Sequence, residues 1–445
     1  MEKKKGFVPF HEKLAYGFGD AGCNFIWSTI SMFVTMYYTD SVGLSAAAVG
    51  TMMLIARLLD GFSDIGMGLV IDRTNTRWGK ARPWIFLSAP AMALGLILLF
   101  NVPTGFSITQ KTVYAYITYI FITAIAYTVS NLSYNTLLSL ITDNQDERTT
   151  ISSIRFIFTV LAIIVISTVS VKLIAKVGWS KLSIIYGLIA LTFLMITAVF
   201  TRERNQPKEV KQQNCNIKTD VKVLFKNKYF IMITFIFIIN YAGAGLDSGI
   251  NIYYARDVLG DINHFALLNI SALIPMLIGL MIFPSVAKRI GKWKSMFGGY
   301  IIRLVSLAIM AFASESLTGI IVATVIGSVG MVPMTAGLFA LIADVVDYGE
   351  WTSGNRIDGL TYSAASFGMK VGTGIGTALV GWLLSYGNYK AGIDMQAAST
   401  IFAMKTIKIY MPIVLMIASA IIMYFLNIDK FSEKMNKDLA ISRAQ

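Results

Sequence analysis

The chain has 445 residues, 55% hydrophobic and only 14% charged, with a mean hydropathy of +0.64. Ordinary soluble domains carry about a quarter charged residues, so this composition excludes one and predicts an all-α integral membrane protein. The formal net charge of +13 comes from Lys and Arg gathered in loops, which marks membrane topology rather than a nucleic-acid partner.

Apolar stretches long enough for helices of about 20 residues recur to the end of the chain and predict twelve transmembrane helices. In chain order these fall at about residues 13 to 38, 44 to 71, 83 to 102, 112 to 141, 151 to 175 and 180 to 201. The second series falls at about 228 to 255, 265 to 287, 293 to 314, 318 to 346, 359 to 387 and 405 to 427. The N-terminal MEKKKGFVPFHEK is basic but lacks a short apolar core with a small-residue cleavage site, so the first span itself is expected to serve as the insertion signal. Basic residues concentrate in both tails and the even-numbered loops, for example Arg73, Arg77, Lys80, Lys288 and Lys292. The positive-inside rule therefore places both termini in the cytoplasm of a cell membrane, in bacteria the inner one.

The longest polar segment, Thr201 to Lys228, divides the helices six and six. The predicted organisation is a bundle over 1–201, a linker over 202–227, a second bundle over 228–427 and a tail over 428–445. Arg77-Trp78-Gly79-Lys80 after helix two and Arg289-Ile290-Gly291-Lys292 after helix eight share R-x-G-K at equivalent places, as two parallel repeats predict. Two cysteines, Cys23 and Cys215, and two histidines, His11 and His264, stand apart and suggest neither a disulfide nor a metal site.

Charge at membrane depth costs about 2.5 to 3.5 kcal/mol per side chain, so intramembrane charges point to function. On helix two Asp60 and Asp64 stand at i and i+4 with Arg57 one turn earlier, so both carboxylates share a face and are expected to share a cation. Helix four places Tyr127, Thr128, Asn131 and Asn135 along one stripe, able to complete a cation shell, to bond sugar hydroxyls or to bond neighbouring helices. Helix one carries Asp20, Asn24 and Trp27, an acid, an amide and an aromatic within two turns, a set suited to a carbohydrate. Helix eleven carries Lys370, which needs a carboxylate or an anionic ligand, followed by Gly372, Gly374 and Gly376. Ahead of it, Asp344, Asp347, Glu350 and Arg356, together with Arg77 of the loop after helix two, form an expected cytoplasmic latch.

D-G-F-S-D, then I-D-R-T-N-T-R-W-G-K-A-R-P-W, then A-D-V-V-D-Y-G-E-W and N-R-I-D-G-L-T-Y-S resemble the glycoside–pentoside–hexuronide:cation symporters, a branch of the major facilitator fold that contains the melibiose permease. The resemblance runs along the whole chain. It implies two six-helix bundles, a sugar pocket between the halves, alternating access, and coupling to Na⁺, H⁺ or Li⁺ without another cofactor. Matched by motif, Asp60, Asp64 and Thr128 fall at cation-site positions and Lys370 at the essential lysine, while Asn24 and Arg155 fall where sugar contacts are expected. Asn131 stands where the melibiose permease has a third cation-site acid, and Asn24 where it has a sugar-binding acid. The amide at 131 weakens Na⁺ binding and leaves H⁺ an equal candidate.

The similarity leans towards glucuronide and xyloside permeases. The expected substrate is accordingly a β-glucuronide, a pentoside or xyloside, or a related oligosaccharide, imported by a monomer among membrane lipids. An exporter of lipids or drugs on the same fold predicts a more uniformly apolar cavity, and a sugar sensor predicts binding without flux. An intramembrane enzyme would need H-E-x-x-H, G-x-S-x-G or paired histidines, and the chain has none of these.

Overall fold

The computed structural model describes residues 7–204, 224–353, 357–393 and 395–431, with 434, 435 and 438 beyond them. Arg356 and Cys215, the greater part of the expected linker and most of the tail lie outside the described residues. Among the described residues the secondary structure is helical apart from one isolated bridge between Thr76 and Gly79. Long apolar sequences without water as a partner must satisfy every backbone group internally, and helices do so within one segment.

In chain order the helices are α1 (Phe10–Met36), α2 (Ala46–Arg73), α3 (Arg82–Leu99) and α4 (Ile108–Ile141). The run Gln145–Phe200 breaks at Gly178, whose φ of 78° is left-handed, giving α5 (145–177) and α6 (179–200). There follow α7 (Lys228–Val258), α8 (His264–Ile290), α9 (Lys292–Phe312), α10 (Leu317–Ser353), α11 (Asp358–Tyr386) and α12 (Ala398–Phe425). Nine segments among the described residues are long and apolar enough to cross a membrane. Glu147–Phe200 counts once among them, and α1 and α2, which carry the polar candidates, are not included. Wider π-helical turns interrupt α4 at Phe121–Ala126 and α12 at Thr406–Tyr410, end α7 at Tyr254–Val258, and extend α1 over Tyr37–Val42. Such turns are rare and gather at functional sites.

The chain divides into two compact units, Met1–Lys211 with Val380–Gln396, and Gln212–Leu379 with Ala397–Gln445. In the first unit α1 is buried nearly along its length, with Tyr16 and Tyr134 stacked at 4.4 Å between ring centres. The end of α11 belongs to this unit: Trp382 Nε1 donates to Thr51 Oγ1 at 3.1 Å and Tyr389 donates to Asp40 at 2.7 Å. In the second unit α11 approaches α7 at backbone distance, because a Cβ on Gly372 would lie 2.3 Å from the Ile238 carbonyl oxygen, and one on Gly376 2.1 Å from that of Ala242. Without side chains between them these helices gain close van der Waals contact, the main attraction between helices in lipid. α8 is the opposite case, with Phe265 and Leu268 its buried residues, so it turns mostly apolar surface outward.

The loop carrying the first R-x-G-K is clamped from the far end of its unit. Glu203 accepts backbone N–H groups of Lys80, Ala81 and Arg82 at 2.7, 2.9 and 2.9 Å, satisfying donors that the start of α3 would otherwise leave unpaired. Gly79 has φ 111°, and a Cβ there would sit 2.3 Å from that carboxylate. Glu12, buried on α1, takes both terminal nitrogens of Arg204 at 2.8 and 2.6 Å, fastening the chain just after α6. Gly79→Ala is expected to unseat Glu203 and to cost at least the 1 to 2 kcal/mol typical of a left-handed non-glycine residue. Thermal denaturation of the purified protein in detergent checks this, and an unchanged midpoint would show that the clamp carries no stability.

Candidate functional site

Two polar clusters of the first unit share α4. The first is built on α2. Asp60 is buried, and its Oδ1 accepts the Thr128 hydroxyl from α4 at 2.7 Å. Ser63, one turn on from Asp60, donates to the Asp60 carbonyl at 3.0 Å and lies 3.2 Å from Thr128 Oγ1. Arg57, also buried, brings Nη1 to 3.7 Å from Asp60 Oδ2. Its guanidinium lies 3.9 Å from the ring centre of Trp27, a cation–π contact, and its Nε has no hydrogen-bond partner among the described residues. Asp64, one turn beyond Asp60 on the same helix, is partly exposed. The cluster therefore offers carboxylate and hydroxyl oxygens to a small hard cation or a proton, with one resident positive charge held back on an indole face.

The second cluster starts at Asp20 on α1, which is 4% exposed. Arg155 from α5 donates from Nε to Asp20 Oδ1 at 2.9 Å and from Nη1 to Asn135 Oδ1 on α4 at 2.8 Å. The Thr159 hydroxyl also donates to Asp20. Asn24 donates to the Asp20 carbonyl at 2.9 Å and to its Oδ2 at 3.4 Å. From Asn135 the line continues to Asn131 at 2.9 Å and on to the Tyr127 hydroxyl at 3.3 Å. The Tyr127 ring meets that of Trp27 at 4.7 Å. Asn135 is exposed and Arg155, Asn24 and Asn131 are partly so, giving fixed donors and acceptors on an accessible face, whereas Asp60, Arg57 and Thr128 are buried.

The structure thus brings together Asp20, Asn24, Tyr127, Asn131, Asn135 and Arg155 as one set, and Asp60 with Thr128 as its neighbour. Tyr127 and Thr128 are consecutive residues just past the π-helical turn of α4, so each set touches one of them. Asn131 joins the line from Asn135 to Tyr127 through both its amide contacts. Lys370 lies on α11 in the second unit, partly exposed. Of the latch residues, Asp344 accepts from Lys292, the lysine of the second R-x-G-K, within the second unit. Asp347 and Glu350 are partly buried nearby on α10, and Arg77 is exposed in the loop before α3.

Sequence reasoning missed Thr159 and Ser63, which look like any hydroxyl residue in a span. Trp27, an aromatic suited to a carbohydrate by sequence, has its ring 3.9 Å from the Arg57 guanidinium and 4.7 Å from the Tyr127 ring. A larger omission is a charged group in the second unit, Asp247 with Lys408 and Arg303, although charges inside apolar stretches were the signal that identified Asp60.

The family model described as MFS/sugar transport protein matches residues 15–430. The isoprimeverose transporter of Lactiplantibacillus pentosus is 35% identical over 453 residues, covering 99% of this chain and 93% of that protein. The inner membrane symporter YicJ of Escherichia coli K12 is 30% identical over 432 residues, covering 94% and 92%. Among solved structures, the crystal structure of the nucleoside transporter NupG aligns with a TM-score of 0.64 at 16% identity, over 92% of this chain and 98% of that one, a likeness of fold.

Proposed function

The chain belongs to the MFS/sugar transport protein family, and from that premise we propose that it imports a glycoside together with H⁺ or Na⁺ by alternating access. As a member it is a multi-pass membrane sugar transporter and not an enzyme. The two compact units are read as the two six-helix halves, with both termini in the cytoplasm and the chain acting as a monomer. The isoprimeverose transporter and the YicJ symporter support a pentose-containing or related glycoside and an ion-coupled cycle in the inner membrane.

The observation that carries the reading is the adjacency on α4. A carboxylate site at Asp60 and a hydroxyl-binding line at Asp20, Arg155, Asn135 and Asn131 meet at consecutive residues of one helix. Cation binding at Asp60, with Asp64 beside it, neutralises the acidic pair. It frees Arg57 from its electrostatic role there and, through Thr128 and Tyr127, firms the sugar line. Lys370 is assigned to the coupling step by its membrane depth and its motif. The latch of Arg77, Asp344, Asp347, Glu350 and Arg356 is read as a cytoplasmic gate.

The driving force suffices. One charge crossing 100 mV supplies about 2.3 kcal/mol, and about 1.36 kcal/mol is tenfold, so one ion per sugar supports roughly 50-fold accumulation. Uptake of radiolabelled xyloside and glucuronide by membrane vesicles, with an imposed pH or Na⁺ gradient, tests the reading and identifies the ion. Uptake that only equilibrates under both gradients would refute symport. In the same assay Lys370→Ala is expected to cut concentrative uptake at least tenfold, and normal accumulation by this variant removes Lys370 from the coupling step.

Trp27→Ala is expected to lose the cation–π contact to Arg57, about 0.5 to 2 kcal/mol. The measurable result is a several-fold rise in the ion concentration needed for half-maximal uptake. A change confined to sugar affinity would place Trp27 with the sugar alone.

A further inference from the structure

The second unit holds an intramembrane charge group of its own. Lys408, in the π-helical turn of α12, has a side chain only 4% exposed and donates to Asp247 Oδ1 at 2.5 Å and to Asn251 Oδ1 at 2.6 Å, both on α7. Asp247 differs from its partner in being 40% exposed. Arg303 of α9 lies within electrostatic reach of the same carboxylate, and Gly327 of α10 makes room for it, since a Cβ there would fall 2.3 Å from Arg303 Nη1. A carboxylate on a membrane span is not left facing hydrocarbon, so its exposure marks a water-filled face. The buried ammonium, itself held by the amide oxygen of Asn251, anchors it there.

The sequence repeats the arrangement of the first unit. Asp20-Ala21-Gly22-Cys23-Asn24 on α1 and Asp247-Ser248-Gly249-Ile250-Asn251 on α7 share D-x-G-x-N, each on the first long helix of its unit. Each aspartate has a basic side chain from another helix beside it, Arg155 for Asp20 and Lys408 for Asp247.

We propose that Asp247 forms a second carbohydrate subsite, in which its carboxylate accepts sugar hydroxyls while Lys408, itself held by Asn251, positions it. Two positive charges around one carboxylate leave no negative field to hold a metal cation or an additional proton. A negatively charged ligand would meet the exposed carboxylate before the buried ammonium. Neutral O–H donors fit an exposed, charged acceptor, because a hydrogen bond to a charged group is stronger than one between neutral groups. This inference rests on the glycoside reading above and assigns residues of the second unit to the same substrate.

The test compares the wild-type protein, Asp247→Asn, Asp247→Glu and the double variant Asp247→Asn with Lys408→Gln, which removes the buried ammonium together with its carboxylate. Half-saturating xyloside concentration and half-saturating ion concentration are read in vesicles, with amounts of folded protein normalised by size-exclusion chromatography in detergent. The expected result is a rise in sugar half-saturation of at least tenfold in both Asn variants, a smaller rise in Asp247→Glu, and an unchanged ion requirement. If Asp247→Asn fails to fold, the double variant carries the comparison.

A double variant with wild-type sugar half-saturation would overturn the subsite and leave a structural ion pair. A shifted ion requirement at constant sugar affinity would overturn it in favour of a coupling role. Failure of the wild type to import any glycoside sinks the transport reading itself, whereas import by a wild type that the variants match sinks the subsite alone.

Discussion

Asp60→Asn is expected to abolish uphill accumulation of sugar while leaving sugar exchange across the membrane intact. The carboxylate is buried, accepts the Thr128 hydroxyl at 2.7 Å and has Arg57 at 3.7 Å. Asparagine keeps the shape and an acceptor for Thr128, so the helices stay in register, but it removes the charge that a proton or Na⁺ neutralises. Removing one member of a buried ion pair leaves the other charge uncompensated, a penalty of about 3 to 5 kcal/mol. Here the pair is loose and the guanidinium also rests on Trp27, so the loss of stability should fall at or below the lower end.

The accumulation ratio should drop from roughly 50-fold towards unity at an imposed 100 mV, whereas counterflow of labelled against unlabelled sugar should persist. Vesicle uptake and counterflow on one preparation measure both. Accumulation equal to wild type would move the coupling ion away from α2. Thr128→Val tests the same site more gently. Loss of one hydrogen bond to a charged group, about 1.5 to 3 kcal/mol, should shift the half-saturating ion concentration at least tenfold at unchanged maximal rate, downward for a proton and upward for a Na⁺ that the hydroxyl ligates.

Arg155→Ala is expected to lower sugar affinity by two orders of magnitude or more, with the ion requirement nearly constant. One guanidinium bonds Asp20 from Nε and Asn135 from Nη1 at 2.9 and 2.8 Å, tying α1, α5 and α4 together. Its removal leaves the Asp20 carboxylate, 4% exposed, with neutral donors from Thr159 and Asn24 only. The penalty of about 3 to 5 kcal/mol for such an uncompensated charge falls on the conformation that binds sugar. Arg155→Lys should recover only part of the loss, because an ammonium is a point donor and cannot span Asp20 and Asn135 as the planar fork does. Binding of a labelled glycoside to purified protein separates the outcomes, and full recovery by lysine would reduce Arg155 to a simple counter-charge.

Much of the site was legible because hydrocarbon makes polar residues conspicuous. Asp20, Asn24, Asp60 and the Tyr127 to Asn135 stripe stood out against their apolar neighbours, and helical spacing put them on definite faces. Residues that act through geometry alone were not legible. Ser63 and Thr159 have the commonest membrane polar side chains, so nothing in the sequence marked them as the neighbours of Thr128 and Asp20. Trp27 was readable as an aromatic suited to a ring, but its cation–π role depends on Arg57 reaching across from another helix at 3.9 Å. Asp247, Lys408 and Arg303 carried the same signal as Asp60. The D-x-G-x-N match between α1 and α7 was also present in the sequence, and it became informative once the ion pair gave its aspartates a common setting.

What the sequence determined alone was the solvent and the periodicity. A composition this apolar demands lipid, lipid demands helices, and charges embedded in such helices demand partners. The structure decided which partners meet. Arg155 could have answered several acids, and it joins Asp20 to Asn135 because α1, α4 and α5 bring those side chains within 3 Å of its two nitrogens. Likewise Glu203 caps α3 from more than a hundred residues away, and Gly376 admits the Ala242 carbonyl where a Cβ would stand. Local sequence sets which face of a helix is polar, but the angle and distance at which two helices cross come from packing many side chains at once, and no short motif encodes them.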